Sequence, residues 1–87
     1  MKYEIRKSFI KDTSKLSATT HIEIAKLIDK IEISLTISEL NNCKKLKGFS
    51  NDYRIRLGQY RIGFTYENQT TELVRILARK DIYRYFP

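Results

Sequence analysis

Two stretches of alternating polar and apolar residues, separated by a Gly-Gln pair, most constrain how this chain folds. Apolar side chains stand at every second position in residues 53–57 and again in residues 60–66. A period of two is typical of β-strands that bury one face. Two connecting residues with glycine first fit a type II′ turn, which joins the strands of an antiparallel hairpin. The sequence therefore predicts a β-hairpin that turns at Gly58 and Gln59.

This turn also predicts which side chains share a face of the hairpin. A two-residue connection places Arg56 directly opposite Arg61. The face expected to pack against helices carries Tyr53, Ile55, Leu57, Ile62, Phe64 and Tyr66. The opposite face, called the arginine face below, carries Arg54, Arg56, Arg61 and Gly63. We expect Gly63 to leave room there for a backbone or a base to approach.

The arginine face has the character of an anion-binding surface. Two arginines directly opposite each other destabilise a sheet by several tenths of a kcal/mol unless an anion lies between them. A guanidinium binds phosphate through two parallel hydrogen bonds, which a lysine cannot do. No Asp or Glu occurs between Tyr53 and Tyr66, whereas a solubilising surface usually mixes the two signs. Phosphate binding is therefore favoured over a merely solvated charged face, although binding alone does not imply catalysis.

The remaining elements follow from periodicity and capping signals. Residues 2–7 alternate like a strand, and Ser8 is a candidate cap for a short helix. A second helix is expected to begin at Thr20, with Glu23 completing a capping box, and to end between Leu35 and Asn42. Its apolar stripe consists of Ile24, Leu27, Ile28, Ile31 and Leu35. Residues 71–78 are apolar on both faces apart from one arginine, which indicates a central strand.

The expected architecture is one α+β domain covering residues 1–87. It comprises an N-terminal strand, a two-helix hairpin and an antiparallel three-strand meander with a short C-terminal tail, with the helices on one sheet face. The register of the third strand stays open. A three-residue turn at 68–70 pairs Ile76 with Ile62 and brings Arg75 and Arg79 to the arginine face. A four-residue turn places both arginines on the opposite face of the sheet. Tyr83 and Tyr85 lie just beyond this strand, where they are placed to stack on bases.

The charge of the chain is concentrated in its second half. The net charge is +7, and residues 44–87 hold ten Lys/Arg against four Asp/Glu. Such an excess predicts strong, salt-sensitive attraction to phosphate backbones. A lone cysteine, Cys43, fits a reducing cytoplasm. No apolar run is long enough to cross a bilayer, so we expect a cytoplasmic protein without a membrane partner.

Most other catalytic chemistries lack the residues they need. His21 is the only histidine, so a pair of histidines acting as acid and base is excluded. One His and one Cys do not make a zinc site of the usual kind, and there is no glycine-rich phosphate loop. The scattered carboxylates have the spacing of surface charges. We therefore expect no metal and no cofactor, and a nuclease of this composition would depend on Arg, Lys and Tyr.

Four fragments, in order and at fitting spacing, resemble the RelE/ParE toxin superfamily. They are Leu46-Lys47-Gly48, Tyr53-Arg54-Ile55-Arg56-Leu57-Gly58, Tyr60-Arg61-Ile62 and Arg79-Lys80-Asp81-Ile82-Tyr83. The likeness in length and element order covers nearly the whole chain, and the specific motifs lie in residues 46–83.

The resemblance implies the toxin of a type II toxin–antitoxin system, bound by a cognate antitoxin. It implies a metal-free endoribonuclease that enters the ribosomal A site and cuts mRNA, by attack of a 2′-hydroxyl on the adjacent phosphate, to leave a 2′,3′-cyclic phosphate and a 5′-hydroxyl. Arg61 matches the residue that stabilises the phosphate, Arg79 the general acid, and Tyr83 the aromatic that orients a base. The implied catalytic set is Arg54, Arg56, Arg61, Arg79 and Tyr83, with RNA-binding residues Lys45, Lys47, Arg75, Lys80, Arg84 and Tyr85.

The chain departs from the family pattern at the residues that can act as general base. Related toxins often have lysine at the positions of Arg54 and Arg56, and arginine almost never loses its proton. Arg56 is then expected to act electrostatically, with Lys45, Lys47 or ribosomal groups assisting. Two alternatives remain: a ParE-like gyrase-inhibiting toxin without nuclease activity, for which the arginines and Tyr83 are dispensable, and a non-catalytic nucleic-acid-binding module.

Overall fold

The computed structural model describes all 87 residues and contains one five-stranded sheet in the order β1-β5-β4-β3-β2. The strands are β1 (Lys2–Ile5), β2 (Cys43–Lys45), β3 (Asp52–Leu57), β4 (Tyr60–Glu67) and β5 (Thr70–Ala78), and the helices are α1 (Lys7–Thr13), α2 (Ala18–Ile33) and α3 (Arg79–Tyr85). Strand β1 pairs with β5 in parallel, and all other neighbours are antiparallel. The predicted α+β class and element order are confirmed, with β2 and α3 as additional elements.

The β3–β4 hairpin has the predicted register. Leu57 pairs with Tyr60, and Arg56 pairs with Arg61. Gly58 adopts a φ of +60°, in the left-handed region that a type II′ turn requires at its first central residue. Because glycine has no Cβ, it enters this region without steric cost.

The β4–β5 connection is tighter than either predicted turn. Only Asn68 and Gln69 connect the strands, and their φ angles of 52° and 62° are those of a type I′ turn. The three- and four-residue turns are therefore wrong. A β-bulge then shifts the register next to Gly63, so that Ile62 pairs with Ile76. The bulge adds one residue to β5 and restores the pairing that a three-residue turn would have given.

The predicted helix boundaries need correction. Helix α2 begins at Ala18 rather than at Thr20, because the Ser17 hydroxyl accepts a hydrogen bond from the Thr20 amide at 3.2 Å and acts as the cap. It ends at Ile33, and Leu35 is 79% exposed rather than part of the buried stripe. Ser8 lies inside α1, where its hydroxyl donates to the Val74 carbonyl at 2.6 Å instead of capping.

The main core lies between the sheet and helices α1 and α2. Its buried side chains are Phe9, Ile24, Ile31, Leu40, Ile55, Ile62, Phe64, Leu73 and Ile76. Burying a side chain of this size stabilises the fold by about 1.5–3 kcal/mol. Three of these side chains, Ile55, Ile62 and Phe64, come from the predicted helix-facing side of the hairpin. No helix has the length and apolar composition needed to span a membrane.

Helix α3 packs on the opposite side of the sheet. Ile82 and Phe86 are buried there together with Val74, and Leu46 and Leu77 lie against them. The expectation that helices cover one face holds for α1 and α2 only. A Cβ built on Gly63 would collide with the Phe86 ring. The space above Gly63 is thus filled by the chain's own C-terminal segment, and the expectation that it receives a nucleotide is wrong.

Candidate functional site

An open cleft of about 410 Å³ lies on the part of the arginine face that α3 leaves uncovered. Strands β2, β3 and β4 form its floor, and α3 forms one wall. The residues lining it are Asn42, Cys43, Lys44, Arg54, Arg56, Arg61 and Tyr83. Four of the five predicted catalytic residues therefore come together, although Tyr83 is distant from the arginines in sequence.

Arg56 and Arg61 lie opposite each other across the hairpin, and protein groups orient both side chains. The Arg61 guanidinium donates through Nη1 to the carbonyl oxygens of Gly58 at 3.0 Å and Tyr60 at 2.9 Å. Arg56 Nη2 donates to Asn42 Oδ1 at 3.3 Å. Since these bonds hold the guanidinium groups before a ligand arrives, little reorganisation is needed when an anion binds between them.

Arg54 contacts Tyr83 on the same face. Its guanidinium carbon lies 4.3 Å from the centroid of the Tyr83 ring. Arg54 lowers the pKa of the Tyr83 phenol, first as a hydrogen-bond donor and then as a charge, and the positive charges of Arg79 and Arg61 lower it further. The Tyr83 side chain is exposed, so a substrate in the cleft can reach it.

No carboxylate neutralises the cations of the cleft. The chain contains two ion pairs, Arg6 with Glu72 and Arg75 with Asp12, and neither involves a residue that lines the cleft. The guanidinium groups therefore keep their positive charge unpaired. Such a surface attracts phosphate.

Arg79 and Lys80 lie beside the cleft rather than inside it. Both line a neighbouring cavity of about 370 Å³ together with Gln59 and Tyr83. The Arg79 amide donates to the Gln59 carbonyl at 3.2 Å, which fixes the start of α3 against the hairpin turn. Tyr83 lines both cavities, so the two form adjacent parts of one surface.

Arg75 does not join the cluster. Its Nε donates to Asp12 Oδ2 at 2.7 Å, and the side chain lies at the edge of β5 between α1 and α3. The Tyr85 ring lies 5.7 Å from the Arg75 guanidinium, on the side of α3 away from the cleft. Its pairing with Gly63 places Arg75 on the arginine face, as the Ile62–Ile76 register predicts, but Asp12 holds its guanidinium and Arg75 does not line the cleft.

Three other predicted RNA-binding residues lie outside the cleft. Lys45 pairs with Tyr53, so it projects from the helix-facing side of β2. Lys47 occupies an exposed turn after β2, and Arg84 is exposed near the end of α3. None of the three lines the cleft.

Sequence reasoning missed two residues that do line the cleft, Asn42 and Lys44. Lys44 pairs with Arg54 and therefore shares its face. Asn42 precedes β2 with a left-handed φ of 59°, which asparagine tolerates better than most residues. Strand β2 is too short to show a period, and an edge strand of three residues is defined by its partner rather than by its own sequence.

Cys43 is the remaining residue of the cleft. Burial raises the pKa of its thiol to about 11, so the nucleophilic thiolate is scarce near neutral pH. No group of three or more His, Cys, Asp or Glu residues is arranged to hold a metal ion. The reactive groups that the cleft presents are guanidinium groups, an ammonium and a phenol.

Comparison with known proteins gives sequence and structural relatives of similar length, although no protein-family model matches the chain. Toxin RelE3 of Methanocaldococcus jannaschii is 39% identical over 88 residues, covering 100% of both chains. The RelB-RelE antitoxin-toxin complex from Methanococcus jannaschii superposes with a TM-score of 0.83 and 36% identity, over 97% of this chain and 99% of that one.

More distant structures share the fold. The RelE-RelB complex from Pyrococcus horikoshii gives a TM-score of 0.73 at 22% identity, over 90% of this chain and 93% of that one. The isolated E. coli RelE toxin gives 0.67 at 19% identity, over 97% and 92%. Identity of 39% along the full length of a RelE toxin, together with this fold, shows that the chain belongs to the RelE toxin family.

Proposed function

We propose that this chain is the toxin of a type II toxin–antitoxin system and an endoribonuclease that cleaves mRNA in the ribosomal A site. The observation that carries this proposal is the pairing of Arg56 with Arg61, both unneutralised, in a cleft that also contains Tyr83. Membership of the RelE toxin family supports the toxin part of the proposal. The composition of the cleft supports the nuclease part.

The arginine pair suits the charge that develops during RNA cleavage. The 2′-hydroxyl oxygen attacks the adjacent phosphorus, a P–O2′ bond forms, and the bond to the 5′-oxygen breaks. The phosphoryl group gains negative charge in the transition state, and preorganised donors stabilise that charge. Arg56 and Arg61 approach the phosphate from opposite strands of the hairpin, so both contact its non-bridging oxygens.

Two protons move in this reaction. Tyr83 takes the proton of the 2′-hydroxyl, because its lowered pKa makes the phenolate more available than that of an ordinary tyrosine. Arg56 and Arg61 cannot accept the 2′-hydroxyl proton, since arginine almost never loses its own proton. Arg79 donates a hydrogen bond to the departing 5′-oxygen, which takes its proton from solvent. The products are a 2′,3′-cyclic phosphate and a 5′-hydroxyl.

An antitoxin is the expected protein partner. Two of the structural relatives were solved as complexes of RelE with RelB. In this chain, residues 44–87 carry a large excess of basic residues. An acidic or amphipathic segment that covers the arginine face would neutralise this charge and exclude RNA.

The test is induced expression of the wild type beside Arg61→Ala and Tyr83→Phe, at matched protein levels. Messenger RNA ends that carry a 5′-hydroxyl are mapped within translated reading frames. We expect in-frame cuts with the wild type and a loss of about 10²–10³-fold with Arg61→Ala, as for removal of a transition-state donor. Growth arrest that persists in both variants with intact mRNA would contradict the nuclease and indicate a gyrase-inhibiting toxin.

A further inference from the structure

Lys44 lies on the edge strand β2 and lines the cleft. Its Cα pairs with that of Arg54 in the β2–β3 ladder. Side chains of paired residues project from the same face of a sheet. Lys44 is exposed and lines the cleft, so the face carries a cation that the family motifs in this chain do not include.

The three arginines of the cleft are all engaged with protein groups, whereas Lys44 is not. Arg54 lies over the Tyr83 ring, Arg56 donates to Asn42, and Arg61 donates to two carbonyl oxygens. Neither ion pair of the chain includes Lys44. Its three ammonium donors therefore remain available to a ligand.

The strand that carries Lys44 is held firmly against the arginine hairpin. The Asn42 carbonyl accepts a hydrogen bond from the Arg56 amide at 3.0 Å, and the Asn42 side chain bonds the same arginine. Beyond β2, the Leu46 amide donates to the Asp52 carbonyl at 2.9 Å. Because the ladder is fixed on both sides of Lys44, the position of its side chain is coupled to that of the arginines.

The cations of the cleft form two rows across the sheet. Arg56 and Arg61 form one row, and Lys44 and Arg54 form the other. The rows are separated by two residues along β3, which corresponds to about 7 Å. This separation is comparable with the distance between adjacent phosphates in a nucleotide chain, so the two rows match two successive phosphates.

We propose that Lys44 is a substrate-binding residue that contacts the phosphate next to the one held between Arg56 and Arg61. This inference rests on the proposed nuclease function and extends it to a residue of β2. The contact fixes the register of the RNA strand along β3 and takes no part in bond breaking. An ammonium suits this task because it binds phosphate as a point charge without demanding one planar geometry.

The experiment compares Lys44→Ala, Lys44→Arg and the wild type on ribosomes programmed with mRNA. Cleavage is measured as kcat and KM at several salt concentrations. We expect Lys44→Ala to lower kcat/KM about tenfold through KM, since it removes binding common to ground and transition states. The dependence of log(kcat/KM) on log salt should become shallower by about 0.7, the value for one contact to a single-stranded phosphate. Lys44→Arg keeps the charge and should stay within about threefold of the wild type.

Two further variants separate the possible failures. Lys26→Ala removes the same charge from an exposed position on α2 and should leave kcat/KM and the salt slope unchanged. Arg61→Ala reports on the nuclease itself. If Arg61→Ala abolishes cleavage while Lys44→Ala matches the wild type, the role of Lys44 is refuted and the nuclease stands. An unchanged salt slope in Lys44→Ala, or an equal loss in Lys44→Arg, also overturns the phosphate contact. Absence of cleavage by the wild type would overturn both proposals.

Discussion

The guanidinium carbon of Arg54 lies 4.3 Å from the centroid of the Tyr83 ring. This contact joins strand β3 to helix α3, and it links the position of Tyr83 to its protonation. A cation over an aromatic face is attracted by the ring quadrupole, and the same cation favours the phenolate. One arginine therefore holds the tyrosine in the cleft and lowers its pKa.

Arg54→Gln is expected to raise the pKa of Tyr83 toward its ordinary value of 10.0. A lowered pKa means that the phenolate forms at lower pH, so removing its cause moves the rise of cleavage rate with pH to higher pH. The measurements are the pH profile of cleavage and an NMR titration of the tyrosine Cζ carbons, with Tyr83→Phe used to assign the signal. A Tyr83 titration that is unchanged in Arg54→Gln would disprove the coupling.

Asp12→Asn is expected to destabilise the fold by about 2 kcal/mol, measured by urea denaturation. The Asp12 carboxylate accepts from Arg75 Nε at 2.7 Å and from the Ile76 amide at 3.1 Å, and its side chain is only 11% exposed. Hydrogen bonding with Asp12 also raises the pKa of Arg75. The variant leaves the Arg75 guanidinium without its counter-charge. It also weakens the hydrogen bond that the Asp12 side chain accepts from the Ile76 amide of β5.

The matched control is Glu72→Gln, which breaks the other ion pair of the chain. The side chains of Arg6 and Glu72 are 50% and 30% exposed, and exposed pairs contribute at most about 1 kcal/mol. We expect its cost to stay below that of Asp12→Asn. Equal losses for the two variants would argue that burial of the Asp12–Arg75 pair has no structural importance.

Gly63→Ala is expected to cost about 1–3 kcal/mol of stability, the usual penalty for overpacking. The added methyl group would collide with the Phe86 ring, which fills the space above the glycine. Because the collision needs both partners, Gly63→Ala combined with Phe86→Ala should be less destabilised than the sum of the two single variants. Strict additivity of the unfolding free energies would show that Phe86 does not press on Gly63 in solution.

Local sequence signals predicted the hairpin and its arginine pair correctly. The alternation of residues 53–66 and the glycine-first turn depend on neighbouring residues only, and they fix the opposition of Arg56 and Arg61. The resemblance to the RelE/ParE superfamily added Tyr83, whose place in the cleft no periodicity could indicate. The alternation and the turn can be recognised in the sequence because they depend on interactions between residues close together in the chain.

Features that depend on distant parts of the chain were decided only by the tertiary structure. Asp12 holds the Arg75 guanidinium outside the cleft, and Phe86 closes the space at Gly63. Lys44 reaches the cleft because β2 pairs with β3, which gives a three-residue segment a conformation that its own sequence does not specify. The sequence by itself thus determined the α+β class and the central arginine pair through local periodicity and turn geometry. The tertiary structure decided which other side chains join that pair, because packing and long-range strand pairing override weak local preferences.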